Sequence, residues 1–292
     1  MSDLVQLLLS GVALGMIYAL LAFGYSVTFS TSRTINFAQG EFLMIGALVG
    51  LTVESRFHLP YVVAALGAAI AGIGLGLLLE YGAIRRALRT GSTATWILAT
   101  VALGIILRNA AERIWGTDDR PFPAPLGDTP FIVGGVRVLP QELLVILVAA
   151  VIMGLLELFR RRSAYGKAVT AVAADRDAAS LMGINVNAVM TLSFIISSVL
   201  AAVAGVLVAP LTLVSPTMGT LLGTKAYAVA IIGGLQSGIG GVVGGLLIGL
   251  SEQLTARYVS TGFKDTPGFV LLILILLVKP SGLFGKRSIT KV

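Results

Sequence analysis

Long uninterrupted apolar runs, more than any motif, constrain what this chain can become. They fall at residues 4–29, 36–53, 61–84, 94–112, 141–159, 189–212, 220–234, 238–256 and 268–284, with short polar loops between them. A helix needs about 20 apolar residues to cross the hydrocarbon of a bilayer. In lipid every backbone N–H and C=O must find a partner inside the protein, so runs of this kind fold as helices. The expected fold class is an all-α polytopic membrane protein, a bundle of about eight or nine transmembrane helices. The second and seventh runs are short and carry polar residues or glycine, which reads as broken or re-entrant segments. Residues 1–292 then form a single transmembrane domain with no room for a sizeable soluble one.

Only 12% of the residues are charged, against about 25% in soluble domains, so the position of each cluster carries information. Arg85, Arg86 and Arg89 form one basic cluster, Arg160, Arg161, Arg162, Lys167 and Arg176 a second, and Lys286, Arg287 and Lys291 a third. The positive-inside rule assigns all three to the cytoplasm. The loops of mixed sign, around Glu54 and Arg56, Asp118 to Arg137, and Arg257 to Asp265, then lie outside. Nine crossings place the C-terminus in the cytoplasm and the N-terminus outside, as expected for a multi-pass protein of a bacterial-type cytoplasmic (inner) membrane. The net charge of +7 is thus a matter of topology and anionic lipid, and no nucleic acid is expected. The first run has no basic residue ahead of it and is too long for a signal peptide, so it reads as a spanning helix.

Cysteine is absent and His58 is the single histidine. That leaves no disulfide and no thiolate or imidazole set for a metal. No phosphate-binding glycine loop occurs: Gly219 to Lys225 lacks the spacing and the terminal hydroxyl. The chain is therefore not expected to be an enzyme or to hydrolyse ATP, and no cofactor is expected in it.

The external stretch 113–140 contains Pro121, Pro123, Pro125, Pro130 and Pro140. Proline fixes φ and removes a donor, so a stiff, irregular loop is expected that caps the bundle or meets an external partner. Residues 11–53 and 195–256 share an order of long helix, polar or glycine-rich break and short helix, a pattern of remote internal repeats. Pairs such as Gly11/Gly15, Gly72/Gly76, Gly240/Gly244 and Gly245/Gly249 allow close helix packing, within one subunit or between two.

The stretch 163–188 is too polar to span and rich in alanine, the strongest helix former. A helix on the inner membrane surface is expected from Ala171 to Met182, with Asp175 and Asp177 near its start and Gly183 as its stop. Ala178, Ala179, Leu181 and Met182 make a compact apolar ridge suited to a partner's groove, so a bulky residue at Ala179 is expected to block docking. The alternative is an ordinary amphipathic surface helix.

Asp177-Ala178-Ala179 followed by Gly183 resembles the EAA---G loop of ABC importer permeases, with Asp for Glu. Further blocks resemble the branched-chain amino-acid permeases of the LivH type. They are Ile35 to Glu41, Ala174 to Asn185, Lys225-Ala226 with Ile232 to Gly234, Gly240 to Gly245, and Pro280 to Gly285. The resemblance implies coupling to ATPase subunits through Asp175, Asp177, Ala178, Ala179, Leu181, Met182 and Gly183. It implies a heterodimer with a second permease, two cytoplasmic ATPases that hold ATP and Mg, and an extracytoplasmic solute-binding protein. The implied cargo is a branched-chain or other apolar amino acid, with urea or short amides as the alternative. An ATPase-independent secondary transporter is the competing class.

Asn36, Gln39, Gly40 and Glu41 sit at the mouth of the second run, where Asn36 can cap a short helix and Gly40 permits close approach. An ionisable group at membrane depth usually faces a bundle interior or a wet cavity. These residues and Lys225 are the candidates for a translocation path or gate, and a buried structural cap is the other reading. Glu252 and Glu80 are the available partners for Lys225, a structural ion pair being the alternative to contact with solute.

Overall fold

The computed structural model describes residues 2–89, 93–127, 129–133 and 136–285. Asp128 and the third basic cluster, Lys286, Arg287 and Lys291, lie outside the described residues, as does the side chain of Arg89. The helices are α1 (Ser2–Ser32), α2 (Gln39–Phe57), α3 (Tyr61–Leu79), α4 (Arg85–Arg89), α5 (Thr93–Trp115), α6 (Pro140–Arg162), α7 (Ala164–Ala174), α8 (Arg176–Leu181), α9 (Val186–Val208), α10 (Met218–Gly233), α11 (Gly238–Tyr258) and α12 (Thr266–Val278). A widened turn at Glu80–Ile84 joins α3 to α4 without a break. Among the described residues six helices are long and apolar enough to cross a membrane; α10 and α12 are shorter apolar helices. The chain is an all-α polytopic membrane protein.

Two departures from the expected spans have local causes. The last run stops at Val278, not at 284. Lys279 leaves helical geometry, and residues beyond Pro280 turn back onto the end of α10. There Leu283 N donates to Ile232 O (2.8 Å) and Phe284 N to Gly233 O (3.1 Å). Those carbonyls belong to the last turn of α10, where a helix has no partners of its own. The stretch 113–140 is also more regular than a proline-rich loop. Helix α5 continues to Trp115, and β1 (Phe131–Val133) pairs antiparallel with β2 (Val136–Val138).

Glycine decides the close packing. Gly11 faces Gly249 and Leu250, Gly15 faces Gly245, and Gly238 faces Phe23, so α1 and α11 run antiparallel with backbones in contact. Gly72 and Gly76 meet Val199 and Ile195, setting α3 antiparallel to α9. Gly46 meets Ala202 and Gly50 meets Val206, so α2 runs parallel to α9. These small-residue pairs pack inside one subunit, where a missing side chain lets backbones approach.

The contacts repeat in a second set. The pair α1 with α11 answers α9 with α3; α2 with α9 answers α10 with α1; and α2 with α3 answers α10 with α11. The two halves, α1–α3 and α9–α11, are thus built alike and oppositely directed, which is the arrangement behind the helix–break–helix pattern in the sequence. Both breaks lie within the bundle. Gln39 Nε2 reaches Ser197 O (3.1 Å), roughly half-way along α9, so α2 begins at mid-depth. Non-helical backbone at that depth survives only where protein satisfies it. In the first break Ala38 N donates to Asn36 Oδ1 (3.0 Å) and Gln39 N to Asn36 O (3.2 Å). In the second, Val214 exchanges two backbone bonds with Arg120 of the proline-rich loop (2.8 and 2.9 Å). Phe122 of that loop is buried against Tyr61, ring edge to face.

Candidate functional site

Two regions collect the unusual residues: the junction of the breaks, and the face carrying α7 and α8.

At the junction, α2 and α10 meet end to end. A Cβ on Gly40 would overlap Gly219 O, and one on Gly219 would overlap Gly40 O. Gly223 lies against Gly40 as well. Asn36 and Gln39 are buried and bonded to each other, Asn36 Nδ2 to Gln39 Oε1 at 3.1 Å. Ser197 Oγ also donates to Gln39 Oε1 (3.2 Å). Asn36 does not cap α2 itself: the residue ahead of the helix is Ala38, and the Asn36 side chain closes the turn before it. Glu41 reaches the edge of the junction. Thr220 Oγ1 donates to Glu41 Oε1 (3.1 Å), and Arg108 Nη1 donates to Thr220 Oγ1 (3.2 Å). Glu41 Oε2 is buried with no hydrogen-bond partner among the described residues.

Thr217, Thr220, Leu221 and Thr224 are exposed along one side of α10, the spacing that puts residues on one helical face. Phe37, exposed, stacks on Trp96 (6.4 Å) and tilts against Tyr227 (5.6 Å) beside that face. The sequence reading passed over these threonines and aromatics, although the three- and four-residue spacing of the threonines was there to be seen.

Lys225 lies on the buried side of α10, 3% exposed. Its ammonium pairs with Glu252 Oε1 (2.9 Å) and Asp265 Oδ1 (2.6 Å), and Tyr18 Oη donates to Glu252 Oε2 (3.0 Å). Glu80 is not its partner; it is bound by Arg85 (2.9 Å) at the far end of α3. Asp265 lies directly ahead of α12, in the stretch whose mixed charge assigns it outside, and no sequence signal ties it to Lys225. A cavity of about 670 Å³ opens beside this cluster, lined by Tyr18, Glu142, Met218, Lys225, Gln253 and Asp265.

On the other face the expected single helix is two. Asp175 is extended and its carboxylate accepts from Asp177 N (2.9 Å) and Ala178 N (3.0 Å), ending α7 and starting α8. An aspartate cap competes with helix continuation, which is why the run breaks there. Gly183 adopts φ +83° after α8, a left-handed turn that suits glycine. The ridge also splits. Ala179 is 4% exposed and packs inward on Val169, Val172 and Val189. Asp177 and Ala178 face out, and Leu181 and Met182 stand 89% and 82% exposed at the end of α8. The described members of the first two basic clusters lie on this same face.

Arg33, just past α1, donates to Ala173 O (2.8 Å), and Arg176 donates to Thr31 O (2.7 Å). Burial first, and then the neighbouring Arg33 charge, hold the Arg176 guanidinium below its ordinary pKa. Arg33 also takes a left-handed backbone, φ +57°.

Comparison with known proteins accounts for this set of features. Residues 7–279 match the family described as branched-chain amino acid transport system / permease component. The chain is 34% identical to the high-affinity branched-chain amino acid transport system permease protein LivH of Salmonella typhimurium, over 98% of this chain and 97% of that one. It is equally 34% identical, with the same coverage, to the corresponding protein BraD of Pseudomonas aeruginosa. The probable LivH of Methanocaldococcus jannaschii is 29% identical over 91% of this chain and 88% of its own. A transport permease fits a helix bundle with breaks inside it. This chain therefore belongs to the family of branched-chain amino-acid transport permease components, and is a membrane-spanning permease subunit of an ABC transporter.

Proposed function

We propose that this subunit passes a branched-chain or other apolar amino acid inward across a bacterial-type inner membrane, along the exposed face of α10. The relatives' names support the cargo class. The observation that carries the route is the uncovered polar face at membrane depth: Thr217, Thr220 and Thr224, with Glu41 and Arg108 at its centre. Arginine and glutamate at membrane depth face a wet passage or another protein rather than lipid tails. A second permease subunit closes the passage from the other side. Gly40 and the buried Asn36 and Gln39 hold the junction, and Glu41 with Thr220 acts as the gate. Lys225 serves from behind, as the neutralised core of α10.

Two ATPases that bind ATP and Mg grip α8 through Asp177, Ala178, Leu181 and Met182. Asp175 and Gly183 set the ends of that helix, and Ala179 seats it. The face with α7 and α8 is cytoplasmic, as is the C-terminus, and the N-terminus and hairpin face the solute-binding protein. The basic clusters support that orientation.

Thr224→Cys in the assembled transporter tests the route. A water-soluble maleimide should label it, and cargo with the binding protein should slow labelling. Labelling by a lipid-soluble reagent alone would place α10 against lipid and remove the route.

A further inference from the structure

We propose that Arg33 and Arg176 form a clasp that carries movement of α8 into the break ahead of α2, making both arginines positioning residues for transport. The inference rests on α8 being the element the ATPase grips.

Helix α1 ends at Ser32 and α7 at Ala174. Each end leaves carbonyls without helical partners. Arg176, the first residue of α8, caps α1 at Thr31 O; Arg33, the first residue after α1, caps α7 at Ala173 O. Each guanidinium thus seals the helix beside the other's backbone. A cation at a helix C-terminus is favoured by the dipole, and charged donors make the stronger hydrogen bonds. Two like charges are held close here, so the carbonyls and not the guanidiniums supply the attraction.

The clasp joins two discontinuities. Arg176 follows the extended Asp175 that separates α7 from α8. Arg33 opens the non-helical segment that leads to Gln39. Its left-handed backbone is costly for a side chain bearing a Cβ, and such strain persists where surroundings over-determine it. A cation–π contact with Phe29 (5.8 Å) adds to that hold. Beyond Arg33 the backbone runs to two separate bonded sets, Asn36 and Gln39 with Ser197, and Glu41 with Thr220 and Arg108. A short backbone segment anchored at both ends to rigid helices is one physical means by which a displacement travels. A shift of α8 pulls on Thr31, two residues ahead of the break, while Arg33 ties the start of the break to the end of α7.

The test uses the complete transporter, permeases with ATPases and binding protein, in proteoliposomes, with uptake and ATP hydrolysis measured in the same vesicles. Arg33→Ala and Arg176→Ala should each lower uptake per ATP hydrolysed by about tenfold, the loss of one charge-assisted bond. The double variant should be no worse than either single one, and Arg176→Lys should recover part of the ratio. An unchanged ratio, or a double variant whose loss is the product of the two, overturns the clasp. Should an alanine variant fail to assemble, Arg176→Gln, which removes the charge, carries the same two outcomes. The docking of α8 is tested separately by cross-linking Leu181→Cys to the ATPase in an otherwise unaltered transporter. Capture supports it, and no capture overturns it whatever the uptake ratio.

Discussion

Gly40 and Gly219, each the second residue of its helix, occupy the space where the other's side chain would be. Two helices that begin inside the bundle are thereby set tip to tip, with Glu41 and Thr220 as the next residues on each and hydrogen-bonded together.

Gly40→Ala and Gly219→Ala each force a methyl into the opposing carbonyl. Overpacking of this kind costs about 1–3 kcal/mol. Thermal unfolding in detergent should show the loss for each. Because both glycines serve one contact, the double variant should lose less than the sum. Full additivity would mean the two tips do not touch.

Lys225→Met leaves Glu252 buried without its cation, a change that costs about 3–5 kcal/mol. The pair Lys225→Met with Glu252→Leu removes the buried carboxylate with its cation, leaves only Asp265, whose side chain is 45% exposed, and should recover most of that stability. Failure of the double variant to recover would assign Lys225 a tie other than the ion pair.

Ala178→Trp and Ala179→Trp separate the two sides of α8. The outward position should block co-purification of the ATPase with the unfolding midpoint retained. The inward one should disrupt the small core of Val169, Val172 and Val189 and lower the midpoint, by about 1–3 kcal/mol of overpacking. Equal midpoints for the two variants would count against the inward placement of Ala179.

Glu41→Ala removes the acceptor for Thr220, and Glu41→Gln keeps one. Uptake by the reconstituted transporter should fall about tenfold in the first, from the loss of one hydrogen bond to a charged group. It should be milder in the second. Equal uptake by the alanine variant and the unaltered protein would remove Glu41 from the gate.

The fold was largely legible because lipid leaves the backbone few choices. Each of the apolar runs became a helix, and the helix–break–helix resemblance between the halves became paired contacts. What stayed hidden depends on partners far apart in the chain or on elements too short to have a period. A six-residue helix such as α8 cannot announce which of Ala178 and Ala179 faces inward. The strands at Phe131–Val133 and Val136–Val138 are three residues each, below the length at which alternation is visible. Asp265 finds Lys225, and Arg33 finds Ala173, only once the helices are assembled. At the junction the polar residues of the second run were readable as a group. The division between Asn36 and Gln39, bonded to each other, and Glu41, buried but turned to Thr220, was not.

The breaks differ in how they are sealed. The one before α2 is closed by the chain's own side chains, Asn36 and Gln39, whereas the one before α10 borrows the backbone of Arg120 from a distant loop. Lifting that loop off Val214 would therefore free the backbone of the break before α10 and leave the bonds of the break before α2 intact.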